Sequence, residues 1–116
     1  MWRMEPGSRG VAFSQLRRGV LEYCVMAALC DGERYGYELV AALGEILRSE
    51  GTIYPLLGRL RREDWVKTSW QESASGPPRR YYGLTDSGRE ALEQFKGEWV
   101  RFRDAVDERL DTKEGA

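Results

Sequence analysis

The chain has 116 residues, 18 Lys+Arg against 19 Asp+Glu for a formal net charge of −1, and no histidine. That length fits one domain with a modest core. The missing histidine removes His-based triads, His general bases and His metal ligands, and no GxGxxG, P-loop or CxxC pattern is present, so no catalysis, metal or cofactor is expected.

The charge is uneven along the chain. Residues from Asp86 onward carry nine acidic and six basic side chains, a balance of −3, whereas Ser49 to Tyr82 carry six basic and four acidic ones, a balance of +2. No apolar run approaches the ~18 residues of a membrane-spanning helix, and the opening "MWRMEPGSRG" lacks a signal peptide's apolar core. Both predict a cytoplasmic protein with no membrane partner.

Residues 1–13, bearing Gly, Arg and Ser without periodicity, read as a flexible arm. A first helix is predicted from Ser14 or Gln15 to Leu29. One apolar face carries Leu16, Val20, Tyr23, Cys24 and Ala27, another Leu21, Val25 and Ala28, so the helix is expected to be buried on both sides. Cys24 and Cys30 lie six apart on it, point to different faces, and read as small buried hydrophobes. "DGE" (31–33) breaks it. A second helix is predicted from Tyr35 to Leu47, with Leu39, Ala42, Leu43, Ile46 and Leu47 on one face; Gly44 inside it costs about 1 kcal/mol relative to Ala, which points to a neighbour packed closely there.

"SEGTIYPLLGRLRREDWV" (49–66) follows. Ser49 and Thr52 compete as N-cap, Pro55 falls near the first turn where its missing N–H costs little, and Asp64 is expected to end the helix in a left-handed conformation. Ile53, Leu56, Leu57 and Leu60 make a buried stripe. The remaining face carries Thr52, Tyr54, Pro55, Arg59, Arg61 and Arg62. "VKTSWQE" alternates with Val66, Thr68 and Trp70 on one side; "RRYYGLT" alternates with Tyr82 and Leu84; "SASGPP" joins them, so the two runs predict a hairpin. Thr85 is a candidate N-cap for a last helix, Asp86 to about Leu110. Leu92, Phe95, Trp99, Phe102 and Val106 form its heptad seam, long enough to dock on a partner helix. Residues 111–116 read as a disordered tail.

Three helices, a hairpin and a long helix predict a mainly α fold with a small β-hairpin: a winged helix-turn-helix over 14–85 plus a C-terminal dimerisation helix over 86–110. In that plan the third helix enters a DNA major groove. Its leucines hold it to the domain, while Tyr54, Arg59, Arg61 and Arg62 face the polyanion and Arg79 and Arg80 flank a hairpin tip that reaches phosphates. A winged helix used for protein contacts alone is the rival reading, and a carrier of flat aromatic molecules a third.

"YGYEL" (35–39), "GTIYPLLGRL" (51–60), "GPPRRYYGLTDSG" (76–88) and the long helix after them resemble the PadR-like family of bacterial transcriptional regulators, over about residues 15–95. The resemblance implies a homodimeric winged helix, commonly a repressor, whose C-terminal helix supplies much of the dimer contact through Leu92, Phe95, Trp99, Phe102 and Val106. The short tail looks like the subfamily with a single C-terminal helix. It implies a DNA-contacting tyrosine at Tyr54, phosphate contacts at Tyr37 and Thr52, and wing contacts at Lys67, Arg79 and Arg80. In drug-sensing members a tryptophan of the C-terminal helix faces its mate and stacks on planar aromatic effectors, a role that would fall to Trp99. Asp64 departs from the family's frequent glycine.

Overall fold

The computed structural model describes residues 16–47 and 49–111; the expected N-terminal arm (1–13) and the tail beyond Asp111 lie outside them. The first predicted helix is interrupted. Leu16 and Arg17 are helical, residues 18–20 turn, and Gly19 takes φ +84° before α1 (Leu21–Ala28) begins. Neither expected face is fully buried: Leu21 and Val25 are core but Ala28 is half-buried, and on the other face Leu16 and Ala27 are exposed; Met26, on neither face, and Leu29 just beyond the helix complete the core here. Cys24 and Cys30 are free thiols and half-buried, not fully buried. Burial pushes the Cys24 thiol up, which keeps it protonated and poorly reactive.

β1 (Arg34–Tyr35), a strand that periodicity missed, leads into α2 (Gly36–Leu43). The Glu38 carboxylate accepts from the Tyr35 N–H at 3.2 Å, one half of a capping box. The second helix was expected to reach Leu47; the α-helix ends at Leu43 and tightens into a 3₁₀ turn, Gly44–Ile46, because Gly44 takes φ +57°. A Cβ on Gly44 would meet nothing within 4 Å, so this glycine serves the backbone conformation and not a close neighbour. Leu39, Leu43 and Leu47 are buried, while Ala42 and Ile46 are exposed.

Of the two competing caps before the next helix, only Ser49 makes a capping bond; Thr52 makes none. Ser49 Oγ accepts from the Gly51 N–H at 3.3 Å and starts a 3₁₀ turn, Glu50–Thr52; α3 (Ile53–Arg62) follows directly. Ile53, Leu57 and Leu60 are fully buried and Leu56 half-buried. Asp64 has φ +64°, as its position at the helix end predicted. Asp tolerates that region better than most non-glycine residues, which lose about 1–2 kcal/mol there. Asp64→Gly is therefore expected to leave the urea midpoint unchanged or raise it, whereas Asp64→Ala lowers stability by about 1 kcal/mol.

β2 (Val66–Ser73) and β3 (Gly76–Leu84) form the hairpin, and β1 adds to it, giving an antiparallel sheet in the order β1-β3-β2. Register pairs Val66 with Leu84, Thr68 with Tyr82 and Trp70 with Arg80. The loop expected over "SASGPP" shrinks to a turn at residues 74 and 75. Gln71 pairs with Arg79 and Ser73 with Gly76, so Glu72 faces both Pro77 and Pro78 in a bulge. Prolines fit there because the ladder needs no N–H from them, and β1 pairs only with Tyr81 and Tyr82.

α4 (Asp86–Leu110) is 25 residues long, with the expected bounds. The Thr85 hydroxyl accepts from the Gly88 N–H at 3.0 Å and donates to the Asp64 carbonyl at 2.6 Å. One side chain thus caps α4 and ties it to the end of α3. Fourteen buried apolar residues from α1, α2, α3, the sheet and α4, with Leu29 and Leu47 just after the first two helices, make one core. Three helices, a three-stranded antiparallel sheet and a long terminal helix form a winged helix. Among the described residues, no helix is long and apolar enough to cross a membrane.

Candidate nucleic-acid interface

α3 presents three different flanks, because successive helical residues are turned about 100° apart. Ile53, Leu57 and Leu60 face the core. Tyr54 and Arg61 lie on the flank beside the wing. Arg59 lies on the opposite flank, beside α1, where its guanidinium pairs with the Glu22 carboxylate. Helical spacing alone groups Arg59 with Tyr54, Arg61 and Arg62; the Glu22 ion pair sets its side chain apart from theirs.

Gly36 decides how Tyr54 lies. A Cβ there would collide with the Tyr54 hydroxyl and stand 3.1 Å from its Cζ. The tyrosine therefore leans its ring over the first residue of α2, yet 55% of its surface stays exposed. Tyr37, on the same turn of α2, is 69% exposed and stacks at 6.4 Å on Tyr35. Tyr35, Tyr37, Tyr54, Arg79, Arg80 and Tyr82 line one open cleft between α2, α3 and the wing. Thr52 stands exposed in the turn before α3, without a side-chain cap bond.

The wing arginines are held by aromatic faces. The Arg79 guanidinium lies 4.4 Å over the Tyr35 ring. Arg80 lies 5.8 Å from the Trp70 ring and 6.0 Å from Tyr82, and its Nε is buried with no hydrogen-bond partner. Such contacts are worth roughly 0.5–1 kcal/mol each at exposed sites, enough to favour one rotamer of a long side chain. Sequence reasoning missed Tyr35 and Trp70 as supports. The signal for Trp70 was available in its cross-strand alternation with Arg80; that for Tyr35 was not, because it depends on its pairing with Tyr81 through a two-residue strand. Gln71 also donates to the Glu33 carboxylate at 2.8 Å, tying the wing to the turn before β1. On the other side of the wing, Arg61, Arg62 and Lys67 edge a second open cleft with Gly58, Asp64 and Thr68.

The seam on α4 divides. Leu92 is in the core of its own chain, so it offers no surface to a partner, contrary to its place in the expected dimer face. Phe95 stacks on Tyr23 at 4.0 Å with rings 1° from parallel, and Trp99 stacks on Phe95 at 6.4 Å. Burial first, then the Glu22 and Glu98 carboxylates, pushes the Tyr23 phenol up, so it stays neutral. Trp99 is 37% exposed and edges an apolar groove with Val20, Leu21, Cys24 and Ile46. Phe102 is exposed and Val106 half-buried. Among the described residues no group of three or more acidic or cysteine side chains is placed to hold a metal.

Residues 25–94 match the family described as "Transcriptional regulator PadR-like family". The crystal structure of a PadR-like transcriptional regulator from Bacillus cereus is 40% identical, with a TM-score of 0.75 over 85% of this chain and 99% of that one. A PadR family transcriptional regulator from Eggerthella lenta is 33% identical, with a TM-score of 0.78 over 90% and 93%. Bacillus subtilis PadR in complex with operator DNA is 27% identical, with a TM-score of 0.60 over 66% of this chain and 46% of that one. An uncharacterised protein of Lysinibacillus sphaericus is 24% identical over 99 residues, 81% of this chain and 91% of its own. With the same order of helices and wing and a family match over most of its length, the chain belongs to the PadR-like family of transcriptional regulators, which are not enzymes.

Proposed function

We propose that this chain is a homodimeric, sequence-specific DNA-binding repressor acting in the cytoplasm on a palindromic operator. The observation that carries the reading is the outer side of α3: Tyr54, Arg61 and Arg62 are exposed, Tyr54 in the cleft with Arg79 and Arg80 and the two arginines in the one with Lys67, while Ile53, Leu57 and Leu60 face the core. The operator complex of the Bacillus subtilis relative supports it. Tyr54 and Arg61 read base edges; Tyr37, Thr52, Arg62, Lys67, Arg79 and Arg80 take phosphates. The dimer joins along α4, where Trp99, Val100, Phe102 and Leu110 leave apolar surface exposed in the single chain. That is the kind of face a second helix covers. Two reading helices then engage half-sites about 34–36 Å apart.

The test is a gel-shift titration, at two salt concentrations, on a duplex selected by the protein from a random pool. Affinity is expected to fall steeply with salt, because each neutralised phosphate releases counterions. Arg61→Ala is expected to cost about 1–3 kcal/mol and to relax selectivity at one base position. A winged helix used for protein contacts alone gives no salt-dependent binding.

The groove beside Trp99 favours one further element: release by a planar aromatic effector that stacks on the indole. Each ring pair adds about 0.5–1.5 kcal/mol beyond burial. Effector and DNA must then weaken each other's binding by the same factor. Quenching of tryptophan fluorescence by a planar dye is expected to disappear in Trp99→Ala and, in the wild type, to weaken when the selected duplex is added. Quenching unaffected by DNA describes a carrier.

A further inference from the structure

α3 carries three arginines, and one of them is already paired. Arg59 and Arg61 are two residues apart and project about 160° from each other, so they cannot lie on the same side of a duplex groove. Arg61 stands by the wing. Arg59 leans onto α1, where Glu22 meets it with a side chain only 18% exposed, against 54% for Arg59. Glu22 has two further ties to that place. It sits in the first turn of α1, where a carboxylate suits the helix dipole. The next residue, Tyr23, is clamped between Trp65 at 6.1 Å and Phe95 at 4.0 Å. The carboxylate is therefore the anchored partner, and the guanidinium the one that is held.

Resting on the DNA-binding reading above, we infer that Glu22 is a positioning residue for specificity: it keeps Arg59 off the phosphate backbone and fixes the rotation of α3 against α1. A protein whose reading helix carries a surplus mobile cation binds any duplex more tightly and discriminates less, because phosphate contacts carry no sequence information. Pairing Arg59 with a carboxylate of its own chain removes that surplus, and latching the helix holds Tyr54 and Arg61 at one angle.

Affinity is measured for the selected duplex and a scrambled one across a salt series, with thermal melts as fold controls. Glu22→Gln frees the guanidinium. Its salt slope is expected to steepen by about 0.9, one phosphate contact, and its ratio of selected to scrambled affinity to fall roughly three- to tenfold. Arg59→Gln is expected to lose discrimination by a similar factor with the slope unchanged; the double variant to lose no more than either single one; and Arg59→Lys, which keeps the charge pair, to stay near wild type. The inference is overturned if Arg59→Gln lowers the slope by about one, which makes Arg59 a phosphate contact in the wild type. A Glu22→Gln protein that melts and binds like wild type also overturns it, and if that variant does not fold, the Arg59→Gln slope decides alone. A wild-type protein without salt-dependent binding defeats the DNA-binding reading instead.

Discussion

Gly88→Ala is expected to lower stability by about 2–4 kcal/mol, from overpacking plus the loss of hydrogen bonds at the cap. A methyl group on Gly88 would run into the Trp65 carbonyl oxygen, stand 3.0 Å from the Trp65 carbonyl carbon and press on Leu84 at 3.2 Å. Two of those obstacles are backbone and cannot rotate away. Relief requires the start of α4 to lift off the end of α3, which breaks the paired bonds of the Thr85 hydroxyl to Gly88 and Asp64 and the 3.1 Å bond from the Thr85 N–H to Trp65. For a domain of this size the loss is expected to appear as a fall in Tm of roughly 10–20 °C. Gly97→Ala, in the same helix, is the control with the opposite sign. A Cβ there meets only an Arg101 nitrogen at 4.0 Å, so the substitution is expected to stabilise by about 0.5–1 kcal/mol through helix propensity. Calorimetric melts of both variants check the pair; a Gly88→Ala melt within a degree or two of wild type excludes the close approach.

The same junction shows why the sequence was legible in some places and not others. Thr85 as N-cap, Asp64 as helix terminator and the extent of α4 were all readable, because each depends on chemistry within a few residues. The inward stripe of α3 was readable for the same reason: leucine spacing on a short helix has one solution. The breaks at Gly19 and Gly44 were not, since a glycine in an otherwise helical run looks alike whether it packs closely or turns left-handed. β1 was invisible because two residues carry no period; its existence is decided by β3, more than forty residues away. The Arg59–Glu22 pair was hidden for a different reason. Helical spacing puts Arg59 outside the buried stripe, and nothing local separates a solvent-facing flank from one that faces another helix. Only the 37-residue separation closed by Glu22 does so. Leu92 is the mirror case: heptad spacing marked it for a partner, and the domain's own core claims it. Local chemistry thus marks which side chains lie outside a buried stripe, and tertiary contacts decide which of those face a neighbouring element.

Gly36→Ala tests the interface without loosening the fold. Unlike Gly88, Gly36 faces the far end of a flexible side chain: the atoms its methyl would strike are the Tyr54 hydroxyl and ring carbons at 3.1 and 3.3 Å. The ring can swing aside, so the steric cost is small, and alanine in the first turn of α2 gains helix propensity. Thermal stability is therefore expected to hold or rise by up to about 0.5–1 kcal/mol. Tyr54, however, is driven off the start of α2 and out of the cleft it shares with Arg79 and Arg80. If Tyr54 contacts the operator from that position, affinity for the selected duplex falls by about 1–3 kcal/mol, roughly ten- to a hundredfold. The loss should match that of Tyr54→Ala, and the combined variant should lose no more than Tyr54→Ala alone, because both substitutions remove the same contact. Additive losses would place the contribution of Gly36 elsewhere, and wild-type affinity in Gly36→Ala would take Tyr54 out of the interface. A better-folded protein that binds its operator worse is the outcome that separates a placed contact from a merely exposed tyrosine.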